Sequence, residues 1–295
     1  MRRTATFGEA AGVYGRAALA DGDVKPATRK HQECCLRGIQ RVWQGLAETP
    51  VRNLTTADCE RWVALRREQV GPQRLNAELG VLRRVLDLAR REGVIAVNPA
   101  ASIRRIVFVN PLPAIPTPAQ FSRLVSMLRV LGNRKAADFV ELLAYSGMQC
   151  HEAAALTWAD VDFNKGTFLV SRSERGSRDR VTRCVPLFPN LRELLVSIRK
   201  RSGKTGPGDR VLRIKQCKAA LQMACRFRGL PRFSHQDLRH FFAARAIDEG
   251  IDYNIIADWL GHRDNGALVA RMYGHLSLQD PERMAKRMTF AARLR

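Results

Sequence analysis

Residues 233–250 read "FSHQDLRHFFAARAIDEG" and place His235 and Arg239 four apart. On a helix both side chains then project from one face and can converge on a single phosphate. Further along, residues 257–265, "ADWLGHRDN", set a glycine before His262 after an apolar turn. Residues 267–277, "ALVARMYGHLS", end a helical run on Tyr273, and Gly274 gives the tyrosine freedom to leave the regular helix. Each stretch alone has a plain structural reading: a surface His–Arg pair, a histidine at a helix end, a core aromatic with its hydroxyl on backbone. In order, they supply imidazoles, a guanidinium and a phenol, groups suited to phosphoryl chemistry.

The bulk composition points to the same partner. The chain has 295 residues, 45% of them hydrophobic, enough for one large or two ordinary domains, each with its own core. Its 50 Lys and Arg against 28 Asp and Glu give a net charge of +22 and a pI near 10.8. Clustered basic groups gain affinity by releasing counterions from phosphates, so nucleic acid is favoured over membrane. No apolar run approaches the roughly 20 residues of a spanning helix. The opening "MRRTATFGEAAGVYG" lacks the apolar core of a signal peptide, which predicts a cytoplasmic protein. The 7 cysteines are scattered without a CxxC pair, which predicts reduced thiols. His31 with Cys34 and Cys35 lacks the second ligand pair of a zinc site, so no metal is expected.

Helical periodicity runs through "CLRGIQRVWQGLA" and "RLNAELGVLRRVLDLARREGVI", the latter with Leu75, Leu79, Leu82, Val85, Leu86 and Leu88 on one broad face. Arg83, Arg84, Arg90 and Arg91 flank that face and suit either solvent or phosphate. The period fails where Pro99, Pro111, Pro113 and Pro116 disfavour helix, predicting an extended linker with the boundary near 107–114. Thr117 then reads as an N-cap, and Gly147 as the end of "KAADFVELLAYSG". Alternation in "TFLV" and "RVTRCVPL" predicts two short strands joined by the basic loop "RSERGSRD". After Tyr273, Asp280 and Pro281 read as the start of a terminal amphipathic helix.

The series HxxxR, LGH, then a tyrosine eleven residues after that histidine, late in a strongly basic chain, closely resembles the tyrosine recombinase (phage integrase) family. The resemblance runs from about Arg37 to Leu276 and is weakest at the N-terminal end. It implies a mainly α fold with a small β-sheet: a helical DNA-binding (core-binding) domain over 1–107, a linker over 108–117, and a catalytic domain over 118–295. It also implies strand cleavage by Tyr273 through a 3′-phosphotyrosyl intermediate, with Arg239, His235 and His262 on the scissile phosphate. No cofactor and no metal are implied. The implied partners are double-stranded DNA with specific recombination sites and further copies of the chain, dimer to tetramer, with the terminal helix often packed on a neighbour. His240, beside Arg239, is a candidate support for these groups.

Two positions depart from the family pattern. Gly147, Met148, Glu152, Leu156, Trp158, Asp160 and Asp162 fit the helix that carries the first catalytic arginine, yet that position holds Gln149. Gln149 donates a neutral hydrogen bond and no charge, and loss of such an arginine lowers phosphoryl-transfer rates by on the order of 10³ to 10⁵. An enzyme that compensates, a relative that has lost cleavage, a deliberate substitution and a misplaced register all account for it. The family lysine of the strand hairpin is also missing: no lysine falls between Lys165 and Pro186. The hairpin instead carries Arg172, Arg175, Arg178, Arg180 and Arg183. Arg172, Arg175 and Arg178 are candidates for phosphate contact. The alternatives to a recombinase are a catalytically silent DNA-binding or regulatory relative and, more remotely, a topoisomerase using the same tyrosine chemistry.

Overall fold

The computed structural model describes residues 4–20, 26–108, 114–173 and 180–274. The architecture is mainly α with one small sheet, as the sequence predicts, and falls into two compact units, built on residues before and after the proline-rich stretch.

The first unit holds α1 (Phe7–Ala20), α2 (Pro26–Val42), α3 (Thr56–Arg67) and α4 (Pro72–Arg91). Its core is the apolar face of α4, where Leu75, Leu79, Leu82, Val85 and Leu86 are all buried against α1, α2 and α3. Removing each such side chain from water contributes about 1.5–3 kcal/mol. Leu88 is half-buried, and Ala89 takes the inward place instead. A carboxylate lies inside this core. Glu78, fully buried, accepts two bonds from Arg66, at 2.8 and 2.9 Å, and one from Arg74 at 2.6 Å. Arg83 is a structural donor, its Nε bonding Ala100 O at 2.9 Å. Asn76 brackets Ile106, accepting its N–H and donating to its carbonyl, so the chain leaving this unit is pinned without a helix. Cys35 is buried with its Sγ 3.7 Å from His31 Nε2, while Cys34 is exposed beside Arg74.

The second unit begins at α5 (Pro118–Val130), capped by Thr117, whose hydroxyl accepts from Gln120 N–H while the Gln120 side chain accepts from Thr117 N–H. Helix α6 (Arg134–Ser146) is its axis, buried on nearly every side between α5, α8 (Pro189–Ser202) and α10 (His235–Asp248). Short α7 (Cys150–Ala155) leads to an antiparallel sheet in the order β1 (Val161–Asp162), β2 (Thr167–Ser173), β3 (Arg180–Pro186). The two longer strands match the alternation of the sequence; β1, two residues long, is too short to show any period. Arg172, expected in the loop, belongs to β2. Helices α9 (Lys218–Phe227), α11 (Tyr253–Leu260) and α12 (Ala267–Tyr273) complete the unit. Arg175, Arg178 and the terminal helix expected from Asp280 lie outside the described residues.

Gly147 closes α6 in the left-handed region, φ 64°. A Cβ there would lie 2.5 Å from Phe242 Cδ1 and 2.9 Å from Leu260 Cδ2, so α10 and α11 both pack directly on this backbone. Gly147→Ala combines an unfavourable φ with overpacking and is expected to destabilise the second unit by roughly 2–4 kcal/mol, measured by urea unfolding followed by tryptophan fluorescence.

Candidate active site

The site is built from the ends of helices. Ser234 caps α10: its N–H and hydroxyl both bond Asp237 Oδ2 at 2.7 Å, and Asp237 N–H returns a bond to the hydroxyl. The cap fixes His235 as the first helical residue and sets Arg239 one turn on. Arg239, 4% exposed, donates from Nη1 to Gly147 O and from Nη2 to Leu260 O, each at 2.7 Å. Both carbonyls end helices, where the backbone dipoles present negative charge to a cation. Nη2 also lies 3.2 Å from His262 Nε2. A guanidinium can only donate, so Nε2 is the acceptor there.

His262 reaches this position through the turn that ends α11. Gly261, at φ 74°, donates its N–H to Asp258 O, and His262 N–H bonds Ala257 O at 2.9 Å, closing the helix in a Schellman turn. Arg239 and His262, 23 residues apart, are thus brought together as their motifs suggest. His235 is occupied differently. Its Nε2 accepts from Cys217 N–H at 3.2 Å, and its ring meets Phe139 edge-on. Burial, with the charge of Lys218, lowers its pKa.

Tyr273 ends α12 and is buried, 3% exposed, with its hydroxyl hydrogen-bonded to Nδ1 of buried His240. Burial pushes the phenol up to about 12, against the downward pull of Arg239. The same burial lowers His240 and favours the neutral imidazole. His240, only a candidate support in the sequence, is therefore the direct partner of Tyr273. Gly274 stays right-handed, φ −56°, so the tyrosine does not leave the helix here.

Gln149 precedes α7, and its backbone N–H bonds Glu152 Oε2 at 2.8 Å. The Glu152 side chain is 1% exposed and is gripped by Arg183 of β3, Nη1 to Oε1 at 2.8 Å and Nη2 to Oε2 at 2.7 Å. Arg183 Nε donates to Trp259 O at 2.8 Å. Burial alone would raise the Glu152 carboxyl; the bonds and charge of Arg183 outweigh it and hold the group below the usual range. By composition alone, Arg183 is indistinguishable from the other hairpin arginines. One signal that marks it is strand alternation: it pairs across the sheet with buried Val170 and lies two residues before buried Val185, so it shares their inward face.

Comparison with known proteins follows the same residues. The profile described as the Phage integrase family matches residues 117–279, more than half of the chain. The chain belongs to the phage integrase family. Among its relatives, Tyrosine recombinase XerC of Xanthomonas campestris pv. campestris (strain B100) is 29% identical over 241 residues, spanning 78% of this chain and 72% of the relative. Tyrosine recombinase XerC of Thermodesulfovibrio yellowstonii is 26% identical over 218 residues, 68% and 71% of the two chains. The fold is shared with the Tn1549 transposon integrase solved with circular intermediate DNA, at TM-score 0.73 and 17% identity, covering 97% of this chain and all of that one. It is shared equally with a lambda integrase tetramer bound to a Holliday junction, at TM-score 0.73 and 16% identity, covering 90% and 80%.

The buried phenol makes a prediction about pH. A tyrosine whose folded pKa is raised from 10 to about 12 adds stability that is fully present below pH 10 and is lost as pH rises through 12. The melting temperature of the wild type is therefore expected to fall more steeply than that of Tyr273→Phe from about pH 9.5 upward, measured by differential scanning fluorimetry. Parallel slopes would show that the phenol is not held in this pocket.

Proposed function

We propose that this chain is a site-specific DNA recombinase that cuts and rejoins strands through Tyr273. The observation that carries the reading is the assembly of Arg239 and His262 on the ends of α6 and α11, with Tyr273 held by the residue next to Arg239. Tyr273 Oη attacks the scissile phosphorus, loses its proton, and forms a 3′-phosphotyrosyl ester while the 5′-oxygen departs as a hydroxyl. A 5′-hydroxyl from another strand then attacks that ester, restoring the phosphodiester and returning the tyrosine. The bond energy is conserved in the ester, so no nucleotide hydrolysis is required. The pentacoordinate phosphorane carries more negative charge than the diester, and a fixed guanidinium lowers its energy. Arg239 supplies that charge with His262 beside it, whereas His235, whose Nε2 is held on Cys217 N–H, is not turned toward the same group.

The phenol must first leave its bond to His240, because it is protonated and enclosed where it lies. Tyrosine release at the end of α12 is thus a step of its own, preceding chemistry. Double-stranded DNA is the substrate and the chain works as a multimer on paired sites. The charge of +22 supports this, as do the relatives' names and the neighbouring structures, which include a lambda integrase dimer bound to a core site and a tetramer bound to a Holliday junction. The unit before the linker is assigned to DNA binding. Arg172, Arg175 and Arg178 are assigned to the phosphate backbone, and the chain is assigned to the cytoplasm.

A second reading, a DNA-binding relative without cleavage, is favoured by Gln149 and by the lysine-free hairpin. A nicked duplex carrying a site recovered by sequencing DNA bound to the protein separates the two. The recombinase gives an SDS-resistant adduct that disappears in Tyr273→Phe; absence of any adduct selects the silent relative. Gln149→Arg is expected to raise adduct yield by about tenfold or more, since a guanidinium adds charge at the phosphate, and an unchanged yield would show that position 149 does not face it. Binding measured from about 50 to 200 mM salt is expected to weaken by about 10³ or more, in proportion to the phosphates neutralised.

A further inference from the structure

Arg183 raises a question of charge. Glu152 is a buried carboxylate beside the proposed phosphate site, and the next guanidinium after Arg183 is that of Arg239, with Nη1 4.0 Å from Oε2. Left to itself, an enclosed carboxylate at that distance would pair with Arg239, because a buried charge without a counter-charge is strongly unfavourable. Carboxylate and guanidinium would then cancel, and the site would meet a doubly charged phosphorane with no net charge. Arg183 competes for the same carboxylate, while Arg239 stays at ion-pair distance from it. Both terminal nitrogens of Arg183 engage Glu152 and its Nε engages Trp259 O, so among the described residues two guanidinium groups face this one carboxylate.

We infer that Arg183 is a positioning residue for Arg239: it takes up the charge of Glu152 so that Arg239 keeps its own for DNA, and thereby offsets the cation that position 149 lacks. The assignment rests on the recombinase reading for its consequence in catalysis, and on the geometry of the Glu152 cluster for its physical basis. Direct contact of Arg183 with phosphate is the weaker role, because Nε, Nη1 and Nη2 each already hold a protein acceptor. The strand supports the same role. Position 183 faces inward with Val185, opposite Val170, so the guanidinium arrives at Glu152 from the core side of the sheet. It passes beneath Gly261, where an added Cβ would lie 3.0 Å from Nη1, and so contacts the turn that presents His262.

Full-length wild type, Arg183→Gln, Glu152→Gln and the double variant test this on the same nicked duplex. Two quantities are read: adduct yield, and the slope of log affinity against log salt. Arg183→Gln is expected to lower adduct by about tenfold or more and to reduce the magnitude of the salt slope by about one, as follows when the protein neutralises one phosphate fewer. The double variant, with no carboxylate left to cancel, is expected to regain about tenfold in adduct and most of the slope. A merely structural Arg183, or one that touches DNA itself, would leave the double variant as impaired as Arg183→Gln, and that result overturns the assignment. So does an Arg183→Gln protein that matches wild type in both readouts. If melting shows that Arg183→Gln alone does not fold, the double variant against wild type decides: a slope within a few tenths supports the role, and a slope lower by about one overturns it. A wild type that forms no adduct refutes the recombinase reading instead, while the salt slopes of the four proteins still decide the place of Arg183.

Discussion

The buried guanidinium of Arg239, bonded to the last carbonyls of two helices, is the constraint around which the second unit is organised. An arginine cannot shed its charge, so its burial demands acceptors, and the acceptors available are the carbonyls of Gly147 and Leu260 that helix geometry leaves without partners. That single requirement places α6, α10 and α11 with their ends together. It explains why Gly147 can carry no side chain, since Phe242 and Leu260 occupy the space. It also brings His262 to Arg239 through a turn whose own hydrogen bonds are complete.

Charge balance extends the same logic outward. Glu152 and Arg183 add a carboxylate and a guanidinium beside Arg239, and the backbone N–H of Gln149 supplies Glu152 with a further donor. The first unit repeats the theme without any link to chemistry: Glu78 is enclosed by Arg66 and Arg74, which joins α3 to α4 through one carboxylate, while Arg74 reaches on to the Cys34 carbonyl of α2. The basic excess of this chain is therefore of two kinds. Some arginines are internal counter-charges with fixed partners, and the remainder form the field that meets a polyanion.

Much of this is legible in the sequence because it depends on short-range rules. The capping pairs Thr117 with Gln120 and Ser234 with Asp237 lie three residues apart, and the period of α4 follows from its own apolar face. The order of His235, Arg239, His262 and Tyr273 carries the family resemblance for the same reason. Interactions that cross the chain are the part that sequence does not reveal. Arg183 meets Glu152 over 31 residues, His235 meets Cys217 rather than turning toward Arg239, and Tyr273 finds His240 over 33 residues. Helical spacing says which face a residue occupies, whereas tertiary packing decides what that face meets. Leu88 is a small case of the same limit, displaced from the core by Ala89 through a rotation of one residue.

The pairing of Tyr273 with His240 has a bearing on how such a nucleophile is governed. Enclosure shifts both groups toward their neutral forms, the phenol up to about 12 and the imidazole below its ordinary value. Both shifts trace to enclosure, so a displacement of the chain that carries the ring into water would relieve them, and position rather than composition separates a dormant hydroxyl from a reactive one.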